Sequence, residues 1–244
     1  MRDELQGLWL LRHGQSLGNL ANDAARASDV EELELAQRDM DVPLSDLGRQ
    51  QAAAFGYWLR GAADRPNVVV SSPYVRAVET AEIVLGEARL DTTMMTDERL
   101  REREFGVVDL LTHRGVVARL PEEAMRRERL GKFYYRAPGG ESWVDVALRL
   151  RSLRDSLVRE HADQIVLLVT HEVPIIIARY LIERLDEQQA LAISRAGSLA
   201  NCSLTSYRRA VDRTLQLDHD AWTAPLERSA APVTEESDSP VGPR

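Results

Sequence analysis

Three short runs of apolar residues constrain the fold of this chain more than any other feature of its sequence. They are LWLL at residues 8–11, VVVS at 68–71 and IVLLVT at 165–170. Continuous apolar runs of this length, bounded by polar residues, are typical of strands that are buried on both faces, as in parallel sheets. We therefore expect a sheet whose central strands lie in the protein interior.

Helical patterns separate or follow these runs. They occupy residues 45–61, 72–86, 141–161 and 174–185. The alternation of strands and helices predicts an α/β fold with a mostly parallel central sheet. A late hairpin, NCSLTSYRR followed by TLQLDHD, is expected at one edge of that sheet.

The chain is expected to form a single domain over residues 1–228. The stretch 106–138 has no clear strand pattern and is predicted to be an insertion that covers one end of the sheet. From residue 229 onward the chain is rich in proline, serine and glutamate and has almost no apolar content. Residues 229–244 are therefore predicted to be a disordered tail.

The charge and composition of the chain exclude several classes of function. Its 244 residues carry a formal net charge of −8, which argues against a nucleic-acid binder. Cys202 is the only cysteine, so we expect neither a disulfide within the chain nor a cysteine metal cluster. The apolar runs are too short to cross a bilayer, and the N-terminus lacks the apolar core of a signal peptide. We expect a cytoplasmic protein with no membrane partner, and a homodimer is compatible with this sequence.

Basic side chains follow each of the three predicted strands. Arg12 and His13 follow the first run, Arg76 lies one turn into the next helix, and His171 follows the third run. In open α/β sheets, ligands bind outside the carboxyl ends of the strands. If the three strands are parallel, the four side chains converge on one crevice, and so much positive charge calls for an anionic ligand. Arginine binds phosphate through a planar fork, and backbone N–H groups at helix starts add to such a site.

Several motifs follow one another along the chain between residues 8 and 207. They are LRHGQSLGN, PLSDLGRQQA, SSPYVRAVETA, LREREFG, PGGESWVDVALR and VTHEVPI. In this order they resemble the motifs of the histidine phosphatase superfamily, in its phosphoglycerate mutase-like branch. Any one motif arises easily by chance, whereas the ordered set is highly specific. The resemblance implies a three-layer α/β sandwich, with helices on both faces of a mostly parallel sheet.

The resemblance also implies roles for residues in a phosphate pocket. His13 would be the nucleophile and would form a phosphohistidine. Arg12 and Arg76 would clamp the phosphoryl oxygens, and His171 would hydrogen-bond one of them. The positions that would help to line the phosphate site are Ser16 and Asn19.

A glutamate of LREREFG is expected to exchange a proton with the leaving oxygen and later with water. The resemblance assigns this role to Glu102 by its spacing within the motif, although Glu104 lies in the same motif. A carboxylic acid in a partly buried site can carry a proton near neutral pH. Arg101 and Arg103 flank Glu102 and would keep it ionised if they pointed inward.

Two features of the expected site stay open at the level of the sequence. Glu172 stands where the family commonly has glycine after the second histidine. Its backbone N–H can still bind the phosphate, but its carboxylate adds negative charge unless it points away or pairs with an arginine. Tyr134, Tyr135 and Arg136, in GKFYYRAPGGES, form either a substrate wall or the contacts that pack the insertion onto the domain.

The expected function is that of a metal-independent phosphatase that hydrolyses a small phosphomonoester through a phosphohistidine, without a cofactor. The chain lacks the longer insertion of the mutases, which favours a phosphatase. The alternative enzyme is a cofactor-dependent phosphoglycerate mutase, and a non-catalytic phosphate-binding protein is a third hypothesis. Glu141 and Arg149, in PGGESWVDVALR, are either supporting groups of the site or a helix start and a surface charge.

Overall fold

The computed structural model describes residues 5–197 and 199–235. Its strands are β1 (Gly7–Arg12), β2 (Val68–Ser71), β3 (Met94–Thr96), β4 (Ile165–Thr170), β5 (Leu204–Arg209) and β6 (Leu215–Trp222). Its helices are α1 (Leu17–Ser28), α2 (Asp46–Arg60), α3 (Val75–Ala88), α4 (His113–Arg119), α5 (Pro121–Tyr134), α6 (Trp143–Glu160), α7 (Glu172–Ile182), α8 (Glu187–Ala196) and α9 (Ala224–Arg228). Short 3-10 turns lie at Asp39–Asp41, Glu98–Leu100 and Gly106–Val108.

The described strands form one sheet in the order β3-β2-β4-β1-β5-β6. β1 pairs in parallel with β4, and β2 pairs in parallel with both β4 and β3. The late hairpin is antiparallel, with β5 against β1 and β6 against β5. The predicted α/β fold with a mostly parallel sheet is therefore confirmed. The sequence did not indicate β3, because this short edge strand is partly exposed and lacks an apolar run.

The buried strands contribute to two separate cores, because successive side chains of a strand point to opposite faces of the sheet. In β1, Leu8 and Leu10 pack with α6, α7 and α8, whereas Trp9 and Leu11 pack with α2, α3 and α9. β2 and β4 divide their side chains between the same two cores. Helices thus cover both faces of the sheet, as the resemblance implied. None of the helices described here combines the length and the hydropathy that a membrane span requires.

The insertion at 106–138 contains α4 and α5 and, over its described residues, no strand. Together with the residue before it, the insertion builds a small core of its own, whose buried members are Phe105, Val108, Leu111, Val116, Tyr135 and Ala137. α5 is broken at Gly131, whose φ of 76° lies in the left-handed region that favours glycine. The break separates the helix from the aromatic residues that lead the chain back to the main domain.

The chain beyond α9 is hydrogen-bonded to the domain up to Thr234. Gln51 Nε2 donates to the carbonyl oxygen of Pro232 and to Thr234 Oγ1, each at 2.9 Å. Asn201 N donates to the carbonyl oxygen of Thr234 at 2.9 Å, and Thr234 Oγ1 donates to Asn201 Oδ1 at 3.0 Å. These hydrogen bonds attach a segment that has little apolar surface, and the prediction of a disordered tail over 229–244 stays a prediction. Residues 236–244 lie outside the described residues.

Gly48, near the start of α2, lets that helix approach the loop after β1. A Cβ added at Gly48 would lie 2.0 Å from the carbonyl oxygen of Gln15, so the backbone would have to move. We expect Gly48→Ala to lower the free energy of unfolding by about 1–3 kcal/mol, the usual range for overpacking. Urea unfolding followed by circular dichroism measures this loss.

Gly86, in α3, provides the matched control, because a Cβ at this position would meet no atom within 4 Å. Replacing this helical glycine by alanine should leave the free energy of unfolding unchanged or raise it by about 0.4–1 kcal/mol. Equal losses in the two variants would contradict the steric explanation at Gly48.

Candidate active site

Three polar residues meet at the carboxyl edge of the central strands. His13 directly follows β1, Ser72 follows β2 and His171 follows β4, and all three are fully buried. Because these strands are parallel, their carboxyl ends open on the same edge of the sheet, where α/β proteins bind ligands. The ring centroids of the two histidines are 5.0 Å apart. The convergence expected from the sequence is therefore present.

The hydrogen bonds of His13 define which ring nitrogen can act as a nucleophile. Nδ1 lies 2.7 Å from the carbonyl oxygen of Gly14. A carbonyl oxygen only accepts hydrogen bonds, so Nδ1 carries the proton and Nε2 keeps its lone pair. Arg76 Nε donates to Nε2 at 3.3 Å, which agrees with that tautomer. The loop is held further by the bond from Gly14 N to Thr80 Oγ1 at 3.1 Å.

Two buried arginines lie at this edge. Arg76, in the first turn of α3, directs Nη1 to the carbonyl oxygen of Asp39 at 2.6 Å and to Asp39 Oδ1 at 3.0 Å. Its Nη2 donates to Asp39 Oδ2 at 3.2 Å. Arg12, the last residue of β1, donates from Nη1 to the carbonyl oxygen of Leu199. Both guanidinium groups are buried, which is costly unless anions accompany them, so this edge suits an anionic ligand.

His171 lies between a hydroxyl group and an aromatic ring. Its Nε2 is 2.8 Å from Ser72 Oγ, and its ring centroid is 5.1 Å from that of Tyr74. The Arg76 guanidinium lies over the same tyrosine, 5.0 Å from the ring centroid. Burial, with a smaller contribution from Asp39, raises the pKa of Tyr74 well above its usual value, so this phenol stays neutral. The second histidine is thus held in a rigid position beside the first.

Glu102 is fully buried, whereas Glu104 is exposed. Glu102 Oε1 accepts a hydrogen bond from Arg103 N at 2.6 Å. Its Oε2 accepts from Val173 N at 3.4 Å, in the first turn of the helix that follows His171. Of the two glutamates of the motif, Glu102 is therefore the one that lies next to the second histidine.

Glu141 and Arg149 support the loop that carries Glu102. Arg149 donates from Nη1 to the carbonyl oxygen of Arg99 at 2.6 Å and from Nη2 to that of Glu102 at 3.2 Å. Glu141 Oε1 accepts from Arg149 Nε at 3.1 Å and from Arg101 Nη2 at 2.7 Å. Arg101 is thus paired with Glu141. The sequence left open whether Glu141 and Arg149 support the site or are a helix start and a surface charge. These contacts favour the supporting role.

Three partly or fully buried basic side chains, Arg103, Arg127 and Lys132, lie where the insertion meets the main domain. Arg103 is buried, its guanidinium lies 4.7 Å from the ring centroid of Phe105, and its Nε has no hydrogen-bond partner among the described residues. Burial, and then the charge of Arg127, lower the pKa of Arg103 to about 10. Burial also lowers the pKa of Arg127, and it lowers the pKa of Lys132 to about 8. Such shifts mean that burial outweighs the nearby anions, Glu102 and Glu141 for Arg103 and Glu172 for Lys132.

Ser16 and Asn19 form the capping box at the start of α1. Asn19 N donates to Ser16 Oγ at 3.1 Å, and Ser16 N donates to Asn19 Oδ1 at 2.9 Å. Both residues line one crevice together with Arg76 and Asp39. They fix the helix start beside Arg76, while their direct contact with a phosphate stays a prediction.

Glu172 is buried in the first turn of α7. Its charge is close enough to Lys132 to raise the pKa of that amine, against the stronger effect of burial. The sequence analysis left open how the charge of this carboxylate is compensated. Lys132 of the insertion balances it in part.

The three residues considered as a substrate wall make contacts in and around the insertion. Tyr134 donates its hydroxyl to Glu187 at the start of α8, and Tyr135 is buried in the insertion core. Arg136 Nε donates to the carbonyl oxygen of Gly140 at 2.9 Å. These contacts support the packing alternative, because Tyr134 joins the insertion to α8, Tyr135 packs within the insertion and Arg136 contacts the segment that follows it.

Sequence analysis overlooked four groups at the site: Asp39, Ser72, Tyr74 and Asn201. Ser72 and Tyr74 belong to the motif SSPYVRA, which offered a signal for them. Asn201 Nδ2 donates to the carbonyl oxygen of His13 at 3.2 Å. Neither Asn201 nor Asp39 lies in a recognised motif, and only the folded loops bring them to the strand ends.

Metal ligation was not expected, and the described part of the chain offers no group of three or more histidine, cysteine, aspartate or glutamate side chains placed to hold a metal ion. Cys202 is buried, and burial raises the pKa of its thiol far above the usual value. The thiol is therefore neutral and acts as a packing group.

This chain is similar to known proteins. The family model of the histidine phosphatase superfamily (branch 1) matches residues 8–218. The probable phosphoglycerate mutase GpmB of Yersinia pestis (strain Pestoides F) is 31% identical over 166 residues, which cover 67% of this chain and 68% of that protein. A mycobacterial glucosyl-3-phosphoglycerate phosphatase, solved with inorganic phosphate, is 28% identical with a TM-score of 0.68, covering 90% of this chain and 99% of that chain. A structure named mycobacterial hydrolase 1 is 28% identical with a TM-score of 0.70, covering 89% and 99%.

The match to the family model runs from β1 into β6 and so includes each strand end at which the candidate site is built. Within it lie the arginine and histidine after β1, the arginine of α3 and the histidine after β4. This chain therefore belongs to the histidine phosphatase superfamily.

Proposed function

We propose that this protein is a metal-independent phosphomonoesterase that forms a phosphohistidine on His13. The observation that carries the proposal is the tautomer of His13. Its Nδ1 proton is engaged by Gly14, so Nε2 keeps its lone pair, which accepts a hydrogen bond from Arg76. A neutral imidazole can attack phosphorus directly, and a covalent intermediate divides one difficult hydrolysis into two easier steps.

The two steps use the same groups in turn. In the first, Nε2 of His13 forms a bond to phosphorus while the ester P–O bond breaks, and Glu102 gives its proton to the leaving oxygen. In the second, Glu102 takes a proton from water, the water oxygen attacks phosphorus, and the P–N bond breaks to release inorganic phosphate. Arg12, Arg76 and His171 would stabilise the charge that spreads over the equatorial oxygens in both transition states.

An aryl phosphate tests this proposal directly. The purified protein should hydrolyse 4-nitrophenyl phosphate at an undiminished rate in excess chelator. Loss of activity in chelator would contradict the metal-independent mechanism. Tight binding of phosphate without hydrolysis or any phosphoenzyme would instead favour the third hypothesis, a non-catalytic phosphate-binding protein.

The substrate class that the charges favour is a phosphomonoester whose leaving group carries a carboxylate. Arg103, Arg127 and Lys132 supply positive charge that no acidic side chain of the cluster fully balances. Two of the similar proteins are named for phosphoglycerate compounds, which carry a carboxylate beside the phosphate. A carboxylate at these cations would restore the charge balance and orient the ester oxygen toward Glu102.

Removing Lys132 should weaken binding of carboxylate-bearing esters selectively. We expect Lys132→Met to raise KM for 3-phosphoglycerate or glucosyl-3-phosphoglycerate about tenfold, the cost of one charge-assisted hydrogen bond. KM for 4-nitrophenyl phosphate should not change. The matched control is Arg129→Ala, an exposed residue of the same helix. Equal effects on both kinds of ester would contradict the assignment of this cluster to the leaving group.

A phosphoglycerate mutase is the second candidate, favoured by the relative that is 31% identical. Incubation with 3-phosphoglycerate and a catalytic amount of 2,3-bisphosphoglycerate distinguishes the two reactions. A phosphatase releases inorganic phosphate, whereas a mutase yields 2-phosphoglycerate. Similarity over nearly the whole chain to a phosphatase structure supports the first outcome.

A further inference from the structure

Asp39 holds Arg76 through the nitrogens that an arginine offers to a phosphoryl group. Its two carboxylate oxygens lie 3.0 Å from Nη1 and 3.2 Å from Nη2, and its carbonyl oxygen accepts from Nη1 at 2.6 Å. Arginine binds carboxylate and phosphate with the same paired N–H groups. The carboxylate of Asp39 and a phosphoryl group at Arg76 would therefore use the same donors.

The two partners differ in their freedom to move. Arg76 is 3% exposed, donates from Nε to His13 and lies over the ring of Tyr74. The side chain of Asp39 is 33% exposed, and the residue is the first of a short 3-10 turn. An arginine fixed on several sides keeps its position, whereas a partly exposed carboxylate can turn toward water and be solvated there. Of the two side chains, Asp39 therefore has the greater freedom to move away.

We propose that Asp39 competes with the phosphoryl group for Arg76 and so sets how tightly the site holds substrate and product phosphate. This inference rests on the proposed function, because it takes Arg76 as a phosphoryl ligand. If a ligand binds only to molecules in which Asp39 has released Arg76, its apparent Kd equals its intrinsic Kd divided by the fraction of such molecules. The smaller that fraction, the weaker the observed binding. The same exchange, run in reverse, helps inorganic phosphate to leave, because Asp39 returns to the nitrogens that phosphate gives up.

The opposite role for Asp39 makes the opposite prediction. If Asp39 stayed in place and oriented Arg76 in the complex, its removal would weaken phosphate binding. If it competes, its removal strengthens binding. Competition acts alike on the bound substrate and on the transition state, so it changes KM and leaves kcat nearly constant.

Asp39→Asn tests the sign of the effect, since the amide keeps the shape and loses the charge. We expect KM for 4-nitrophenyl phosphate and the inhibition constant of inorganic phosphate both to fall about tenfold, with kcat within twofold of wild type. Asp39→Ala, which removes the side-chain acceptors altogether, should lower both constants at least as far. Calorimetric titration with inorganic phosphate gives the affinity independently of catalysis.

Asp41→Asn is the matched control. Asp41 closes the same turn and pairs with Arg38 at the surface, at 2.7 Å, so its charge is removed without releasing Arg76. This variant should keep the wild-type constants. A rise in KM and in the phosphate inhibition constant of Asp39→Asn, or no change in either, would overturn the proposal while leaving phosphatase function intact. A wild-type protein that neither binds phosphate nor hydrolyses the ester would overturn the proposed function and this inference together.

Discussion

Replacing His13 by alanine is expected to lower kcat for 4-nitrophenyl phosphate by at least about 10³-fold, because no covalent intermediate can then form. The arginines that would bind the phosphoryl group stay in place, so the variant should still bind inorganic phosphate. Steady-state assays measure the loss of turnover, and calorimetry measures the retained binding. Loss of turnover with retained phosphate binding is the result expected for a nucleophile, whereas loss of a binding residue would weaken both.

A direct label identifies the residue that carries the phosphoryl group. Rapid quenching with a ³²P-labelled ester should trap an acid-labile, base-stable phosphoenzyme in the wild type and none in His13→Ala. His161→Ala is the control, because this histidine lies at the end of α6 and contacts Gln164. Activity retained in His13→Ala, or a label that survives that substitution, would contradict the phosphohistidine mechanism.

Glu102→Gln should be the second most damaging substitution, and its effect should depend on the leaving group. For an alkyl phosphate, whose alkoxide needs a proton, we expect kcat to fall about 10²–10⁴-fold, the usual contribution of a general acid. Nitrophenolate leaves readily without a proton, so the first step with 4-nitrophenyl phosphate should be far less affected. The second step still needs a base, so a rapid burst of nitrophenolate should precede slow turnover.

Glu104→Gln is the matched control for this experiment. Glu104 lies in the same motif but is exposed, so its variant should keep nearly wild-type kcat with both esters. Equal losses of the first-step rate for the alkyl and aryl esters in Glu102→Gln, measured in single turnovers, would argue that Glu102 acts only on the structure of the site. A larger loss in Glu104→Gln would move the proton-transfer role to that residue.

The residues whose convergence the sequence predicted, and which the structure brings together, are those whose position follows directly from a strand end. His13 and His171 each come one residue after a buried strand, and Arg76 lies in the first turn of a helix after another. Parallel pairing of β1, β2 and β4 then brings them to one edge without any further information. The local pattern therefore contained both the fold and the centre of the site.

Residues supplied by loops were not predictable in this way. Asp39 reaches Arg76 from a segment with no apolar periodicity, and Thr234 reaches Asn201 from a segment with a composition typical of disorder. Tyr135 resembles a binding residue in sequence, yet it packs in the core of the insertion. Such contacts depend on how segments that are distant in the sequence pack together, and the residue spacing within one segment does not predict this.

The position of β1 in the sheet has a consequence for how the chain is made. This strand is near the N-terminus, but its two neighbours, β4 and β5, begin only at Ile165 and Leu204. During synthesis, a strand with two apolar faces must therefore wait until most of the chain has left the ribosome. Long-range pairing of this kind slows folding and leaves apolar surface open to aggregation in the meantime. The same central strand that holds His13 at the edge of the sheet in the finished protein is therefore expected to make folding of the nascent chain slow and prone to aggregation.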